Sequence, residues 1–323
     1  MNIYTALSEG LVEGIKEKPE RAVETVMSDV FIYENVVRKV YKERKGVFVD
    51  MTDQEARKDF YLNDFKWNQS VSPEIHSNLY GIGKRDDGTY FLTDFDQSEV
   101  WMIEMKRVQD SDTLFNRLTN GTASTDDVVS FIDMQTEALK RLTDEHLDDH
   151  SNLLEQSLQK LWEDRIDNDL RAFGKSFGKE IEPDLTDKRI DSLLNYFRNN
   201  SFLQELSSED ASVMIDNHAG NVVFHNDKPQ FIDIFLPKRE WRVLDHHNNI
   251  SRIAACVRTL GNDEMADSMY EAYSRHYELA PSEVYDFQEA YNALIKGYYY
   301  TYLEQPEVAK KYFALADGTI EKL

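Results

Sequence analysis

The order of apolar and polar positions divides the chain into a strand-rich first third and a helical remainder. Up to about residue 108, short apolar runs alternate with turn residues such as Asp86, Asp87 and Gly88, which is typical of antiparallel strands. From Asp110 onward, apolar residues recur at three- and four-residue intervals, which is typical of amphipathic helices. The pattern therefore predicts an α+β protein with an N-terminal region at 1–108 and a helical C-terminal region at 109–323.

The strand-rich region also contains two predicted helices. The first is predicted over about 2–18 from apolar residues four positions apart, Leu7, Leu11 and Ile15. The second is predicted over 53–70, because Thr52 or Asp53 can cap its first turn. Three β-rich runs joined by tight turns predict part of an antiparallel sheet, at 25–27, 30–33 and 36–42.

Polar residues cluster around a predicted hairpin in the C-terminal region. Two apolar runs, 222–224 and 231–232, flank a turn rich in Asn, Asp and Pro, which is typical of a β-hairpin. Asp216 and Asn221 precede the hairpin, and Asp233 follows it. Because the pairing of the strands brings the ends of a hairpin together, we expect these three side chains to lie within reach of one another. Two carboxylates and an amide suit a magnesium ion and a proton acceptor.

The charge of the chain limits the partners that it can have. There are 60 acidic against 37 basic residues, which gives a net charge of -23. Such acidity argues against binding to nucleic acid or to an anionic membrane surface. It is compatible with a cationic small substrate or a basic partner, but solubility alone, or a salt-rich cell, is the simpler explanation.

The remaining composition predicts a soluble, cytoplasmic globular protein. Hydrophobic residues make up 41% of the chain, which is enough for a core. The single cysteine, Cys256, excludes an internal disulfide. The N-terminus lacks a hydrophobic signal core, and no run of about 18 apolar residues occurs.

The residues around the hairpin also resemble a known pattern. Asp216-x-His218-x-Gly220-Asn221, followed by a hairpin and by Ile232-Asp233, resembles the catalytic loop and metal-binding segment of the aminoglycoside phosphotransferase-like branch of the protein-kinase-like fold. The resemblance is closest to an uncharacterised group of that branch. It implies a two-lobed α+β fold, with a β-rich N-lobe and a mostly helical C-lobe. It also implies that Asp216 is the catalytic base and that Asn221 and Asp233 bind Mg²⁺.

The order of the other elements extends this resemblance over nearly the whole chain. It implies that Lys42, at the end of a strand, binds the α- and β-phosphates of ATP. It implies that Asp64, on the helix at 53–70, pairs with Lys42, and that the linker near Lys106 and Val108 meets the adenine edge. The chain departs from the family at Met214 and Ile215, where His-Gly is usual, and no glycine-rich loop precedes Lys42.

The function that this resemblance implies is ATP- and Mg²⁺-dependent transfer of the γ-phosphate to a hydroxyl of a small molecule. The acidity of the C-terminal region favours a cationic acceptor, and neither the acceptor nor the oligomeric state can be read from the sequence. One alternative is a nucleotide-binding pseudokinase or interaction module, which Met214, Ile215 and the missing glycines favour. A protein kinase is disfavoured, because the chain contains no Asp-Phe-Gly or Ala-Pro-Glu segment.

Overall fold

The computed structural model describes residues 2–15, 17–45, 49–177 and 183–323. The chain forms two compact units. The first unit contains 1–110, 223–225 and 230–238, and the second contains 111–222, 226–229 and 239–323. The first unit thus includes two late segments of the chain, which the boundary predicted at residue 108 does not.

The described residues of the first unit form a seven-stranded sheet and two α-helices. The helices are α1 (Ile3–Ser8) and α2 (Gln54–Val71). The strands are β1 (Val12–Glu13), β2 (Arg21–Glu24), β3 (Ser28–Ile32), β4 (Val36–Tyr41), β5 (His76–Lys84), β6 (Tyr90–Thr93) and β7 (Val100–Lys106). Their spatial order is β1-β6-β5-β7-β4-β3-β2. Neighbouring strands are antiparallel, as predicted, except that β1 runs parallel to β6.

Alternate residues of the strands face different packing partners. Met102 of β7 belongs to a core that also includes Leu7 of α1 and Phe31 of β3. Its neighbour Trp101 points the other way, where its ring lies 5.7 Å from that of Tyr61 on α2. The two faces of the sheet are therefore covered by different helices.

Helix α2 confirms the helix that was predicted over 53–70. It begins where Asp53 caps it, because the Asp53 side chain accepts a hydrogen bond of 2.8 Å from the backbone N–H of Ala56. Its buried face carries two polar residues, Asp64 and Asn68, beside aromatic ones. Buried polar groups need partners, and those of Asp64 form part of the candidate site.

Two local predictions in this unit were wrong. The helix predicted over 2–18 ends at Ser8, because the chain turns at Gly10, which has a φ of 68°. Leu11, predicted on an apolar helix face, is instead 54% exposed. The run at 25–27 is a turn rather than a strand, in which the Thr25 hydroxyl donates a hydrogen bond of 2.9 Å to the Ser28 carbonyl.

The second unit is mainly helical. Its helices are α3 (Leu114–Thr119), α4 (Thr125–His146), α5 (Ser151–Leu154), α6 (Leu158–Asp164), α7 (Arg171–Phe177), α8 (Pro183–Asn199), α9 (Ser201–Gln204), α10 (His246–Leu260), α11 (Asp263–Tyr273), α12 (Ser282–Tyr302) and α13 (Pro306–Ile320). Helix α12 packs against both α10 and α13.

Four short strands complete the fold. They are β8 (Ala211–Val213), β9 (Val222–His225), β10 (Lys228–Phe231) and β11 (Val243–Asp245). β8 pairs antiparallel with β11, and β9 pairs with β10. The predicted hairpin is thus confirmed, and its turn contains Asn226 and Asp227 at φ angles of 51° and 58°. None of the helices within the described ranges combines the length and apolar character that crossing a membrane requires.

Candidate active site

A buried lysine in the first unit lies between two carboxylates. The Nζ atom of Lys39, on β4, is 2.5 Å from Oδ1 of Asp233 and 3.8 Å from Oδ2 of Asp64. Lys39 and Asp64 are both buried, whereas the Asp233 side chain is 51% exposed. The structure therefore joins a strand lysine to a helix acid and to a second acid that solvent can reach.

The predicted pairing of Asp64 with Lys42 is wrong. Lys42 instead donates hydrogen bonds of 2.6 Å to Glu24 and to the carbonyl of Thr25. Successive residues of a strand point to opposite faces, so Lys39 and Lys42, three positions apart, extend in opposite directions. Sequence reasoning missed Lys39. Lys39 and Tyr41 are two positions apart on one strand, so their side chains point to the same face, and both contact Asp64.

Asp64 is held by donors as well as by the lysine. The Tyr41 hydroxyl donates a hydrogen bond of 2.7 Å to Oδ2, and the Asn68 amide donates one of 2.7 Å to Oδ1. Burial raises the pKa of the Asp64 carboxyl above its ordinary value, and the adjacent Lys39 opposes that shift. Hydrogen bonds to both of its oxygens thus fix the orientation of the Asp64 carboxylate.

The segment that contains Asp233 is bound to α2, the helix that carries Asp64, by a hydrogen bond and by ring packing. The Asn68 side chain, which donates to Asp64, also accepts a hydrogen bond of 3.0 Å from the backbone N–H of Ile234. The ring of Phe235 packs on α2 as well, 5.2 Å from the ring of Trp67. Asp233 has a φ of 56°, in the left-handed region, and these neighbours hold it there.

Asp216 lies in the second unit, in a loop that amide side chains hold. The Asn221 amide donates a hydrogen bond of 2.8 Å to the Asp216 carbonyl, and the Asn217 amide donates one of 2.5 Å to the carbonyl of Asn249 on α10. The Asn249 amide in turn donates one of 2.9 Å to Val213, at the end of β8. The Asn221 side chain thus contacts the backbone of Asp216, while the convergence of the three predicted side chains stays a prediction.

The two residues that depart from the family pattern are part of the core. Met214 and Ile215 are both fully buried. The backbone N–H of Met214 donates a hydrogen bond of 2.8 Å to the carbonyl of Arg242, next to β11. Apolar packing and backbone pairing therefore support the loop at the positions where the family usually has His-Gly.

Basic side chains lie near the Asp216 carboxylate. Arg252, on α10, forms an ion pair with it, and the Nε2 atom of His218 lies 3.8 Å away. Burial by itself raises the pKa of Asp216, but Arg252, His218 and Lys296 outweigh it and hold the pKa well below its ordinary value. Burial, with the nearby Lys296, lowers the pKa of His218 to about 3. At neutral pH the carboxylate is thus ionised and the imidazole is uncharged. Sequence reasoning missed Arg252 and Lys296, because nothing near them in the chain marks them.

The predicted linker residues follow the last strand of the sheet. β7 ends at Lys106, whose Nζ atom lies 2.9 Å from Nε2 of His225. The backbone N–H of Arg107 donates a hydrogen bond of 3.0 Å to Asn35, and Val108 is half-buried. A contact of this linker with adenine stays a prediction.

Solved structures that are similar to this chain include aminoglycoside phosphotransferases and a choline kinase. Aminoglycoside phosphotransferase APH(4)-Ia is 14% identical over 98% of each chain, with a TM-score of 0.57. The GDP and kanamycin complex of APH(2")-IIia is 10% identical over 99% of this chain and 97% of that chain, with a TM-score of 0.52. A choline kinase from Cryptosporidium parvum Iowa II is 12% identical over 99% of this chain and 95% of that chain, with a TM-score of 0.53.

These likenesses extend over the full length of the chain and establish its fold. The chain has the α+β, two-lobed protein-kinase-like fold of aminoglycoside phosphotransferases and choline kinase, as the resemblance in the sequence predicted. No family model matches the chain, and neither does any curated protein. Because a fold does not assign an activity, the function must be argued from the side chains.

Proposed function

We propose that this protein is a phosphotransferase that moves the γ-phosphate of ATP to a hydroxyl group of a small molecule. The observation that carries the proposal is the buried contact of Lys39 with Asp64 and Asp233. In kinase-like folds, a strand lysine paired with a helix acid binds the nucleotide phosphates, and a nearby aspartate binds the metal. A thermostable mutant of APH(4)-Ia, which is similar to this chain in fold, has been solved in a ternary complex with AMP-PNP and hygromycin B, and this supports a nucleotide site.

The residues of the candidate site that lie in the first unit have proposed roles in nucleotide binding. Lys39 binds the α- and β-phosphates, the role first predicted for Lys42. Asp64 orients Lys39, and the bonds that Asp64 receives from Tyr41 and Asn68 hold it for that purpose. The backbone of the linker that follows Lys106, around Val108, meets the adenine.

Asn221 and Asp233 are the proposed magnesium ligands. A half-exposed carboxylate on a fixed backbone, as at Asp233, suits a hard cation, and so does the amide oxygen of Asn221. Bound Mg²⁺ would neutralise charge on the β- and γ-phosphate oxygens. Lys39, which pairs with Asp233, would then be available for the phosphates.

Asp216 is the proposed base that accepts the proton of the acceptor hydroxyl. Such a group typically contributes ~10²–10⁴ in rate. Its ion pair with Arg252 keeps it ionised, but also makes it a weak base. This suits phosphoryl transfer, in which positioning and electrostatic stabilisation do most of the catalysis.

The ion pair also favours a second candidate function. In a nucleotide-binding pseudokinase, Arg252 would hold Asp216 permanently and no hydroxyl would reach it. The two candidates share the nucleotide site and differ only in turnover.

The test combines binding with product analysis. ATP with Mg²⁺ is titrated calorimetrically into the wild type and into Asp233→Asn. The wild type should bind, and the variant should bind more weakly by about tenfold or more, because a charged metal ligand is lost. Equal binding by both proteins would refute the site.

Mass spectrometry after incubation with ATP and a pool of hydroxylated metabolites then separates the two candidates. A phosphorylated small molecule that forms with the wild type, and much more slowly with Asp216→Asn, supports the enzyme. Binding without any such product supports the pseudokinase.

A further inference from the structure

A mostly buried lysine lies close enough to the proposed catalytic residue to act on its charge. Lys296, on α12, is only 5% exposed. Within the part of the chain that the structure describes, no side chain or carbonyl accepts a hydrogen bond from its Nζ atom, and no carboxylate lies within ion-pair distance of it. The ring of Tyr299 lies nearby, with its centroid 5.2 Å from Nζ. An ammonium group at the end of a buried side chain that has no protein acceptor can bind an anionic ligand, because such a ligand would pair a charge that is already partly desolvated.

A second cation converges on the same place from a neighbouring helix. Lys296 and Arg252 extend from the packed helices α12 and α10, and the charges of both act on Asp216. Arg252 is bonded to Asp216 through its terminal nitrogen, but its buried Nε–H has no acceptor among the described residues. Two cations thus face a single carboxylate, and each has unused hydrogen-bonding capacity.

Two further charged residues, Arg165 and Asp169, lie near Arg252, and they do not cancel the positive charge of Arg252 and Lys296. Arg165 is close enough to Arg252 to act on its charge, and it donates hydrogen bonds to the carbonyls of Glu240 and Val243. Asp169 also lies nearby, but its carboxylate accepts a hydrogen bond of 2.8 Å from the indole of Trp241. Arg165 and Asp169 carry opposite charges, so together they add no net charge to that of Arg252 and Lys296.

We infer that the acceptor carries an anionic group, a carboxylate or a phosphate, which binds Lys296 and Arg252 while a hydroxyl of the same molecule faces Asp216. The inference rests on the proposed phosphotransfer and names the class of its acceptor. It replaces the cationic acceptor that the acidity of the chain favoured. Net charge describes mainly the surface, whereas Lys296 is buried, so the local charges decide which ligand fits.

The same geometry gives Arg252 a second role. When the anionic group binds, it supplies the acceptor that the guanidinium lacks, and Arg252 is shared between the ligand and Asp216. The hydroxyl oxygen then forms a bond to the γ-phosphorus as the bond from that phosphorus to the β-phosphate oxygen breaks. The hydroxyl proton passes to Asp216, and ADP leaves with the electrons of the broken bond.

The test uses matched probes on the full chain. The anionic probes are inorganic phosphate, glycerate and glycerol 3-phosphate, and their counterparts are neutral glycerol and cationic choline. Thermal unfolding is recorded with each probe for the wild type, for Lys296→Met and for Lys310→Met, a control on an exposed lysine. The anionic probes should raise the Tm of the wild type and of Lys310→Met. For Lys296→Met the Kd should rise about tenfold or more, because a charge-assisted bond is lost.

Lys296→Met should itself be folded and at least as stable as the wild type, because it removes a charge from a buried side chain and breaks no ion pair among the described residues. Glycerate and glycerol 3-phosphate distinguish a carboxylate from a phosphate, and a response to either one supports the inference. The inference is overturned if no anionic probe stabilises the wild type, if Lys296→Met responds as the wild type does, or if choline stabilises the wild type more than the anions do. ATP and Mg²⁺ are titrated into the same proteins. If the wild type does not bind ATP, the proposed function is refuted. If the wild type binds ATP but none of the anionic probes, only this inference is refuted.

Discussion

The ammonium group of Lys39 lies 2.5 Å from the carboxylate of Asp233, which is 194 residues further along the chain. The contact joins a strand of the sheet to the segment after the hairpin, within one compact unit. Asn68 reinforces it, because this one side chain is bonded both to Asp64 and to the backbone next to Asp233. A small polar network therefore fixes the charged groups that the proposed nucleotide site uses.

Asn68→Ala should loosen this network. The substitution leaves the N–H of Ile234 and one oxygen of Asp64 without their partner in a buried place, which costs roughly 1–3 kcal/mol. Urea unfolding should show that loss, and ATP with Mg²⁺ should bind more weakly. Asn63→Ala, at an exposed position of the same helix, is the matched control and should change little. Equal effects of the two substitutions would contradict the role given to Asn68.

Arg252→Met should change how activity depends on pH. Burial raises the pKa of Asp216 and Arg252 lowers it, so the pKa rises when the guanidinium is removed. The base must be ionised to work, so the loss of kcat/KM on acidification should begin at a higher pH in the variant than in the wild type. Arg275→Met, at an exposed arginine, should leave the profile unchanged. An acid limb that does not move would argue against Asp216 as the base.

His76 should make the protein less stable in acid. Burial lowers the pKa of His76 from 6.5 to about 4, so the unfolded chain binds a proton more readily than the folded chain between those values. Its contribution to stability is therefore complete above about pH 6.5 and is lost progressively as the pH falls towards 4. The free energy of unfolding should fall by up to about 1.4 kcal/mol per pH unit for this histidine. In His76→Gln, urea unfolding at pH 7 and pH 5 should show a smaller difference, and an unchanged difference would contradict the assignment.

Ile215 should be required for stability despite its departure from the family pattern. Ile215→Gly, which introduces the residue usual in the family, removes a fully buried side chain and should cost at least about 2–5 kcal/mol. The control is Leu11→Ala, because Leu11 is half exposed and should tolerate truncation. Thermal unfolding of the two variants provides the comparison. A Tm for Ile215→Gly close to that of the wild type would show that the loop does not depend on this packing.

The parts of the molecule that depend on local sequence were predictable. Helix α2, its cap at Asp53 and the hairpin after Asn221 all follow from nearby residues, and the structure confirms them. The first helix was overextended because an apolar spacing of four does not reveal a turn at Gly10. The choice of Lys42 over Lys39 failed for a similar reason, since the face to which a strand residue points depends on where the strand lies in the sheet.

The electrostatic surroundings of Asp216 could not be predicted in this way. Arg252 and Lys296 come from two helices that follow the motif in the chain, and only the packing of α10 against α12 brings their charges to Asp216. The net charge of the chain pointed to a cationic acceptor, whereas the charges at Asp216 point to an anionic one. Net charge is a property averaged over the surface, so it does not describe the charges around a buried carboxylate.

The most direct test of the nucleotide site compares two lysines three positions apart. Lys39→Met and Lys42→Met are each titrated with ATP and Mg²⁺ by calorimetry, after unfolding curves have established that both variants are folded. Lys39→Met should bind ATP at least about tenfold more weakly than the wild type, because a buried phosphate ligand is lost. Lys42→Met should bind as the wild type does, because its ammonium group is bonded to Glu24 and Thr25 instead. Unchanged binding by Lys39→Met, or a loss confined to Lys42→Met, would contradict the proposed site.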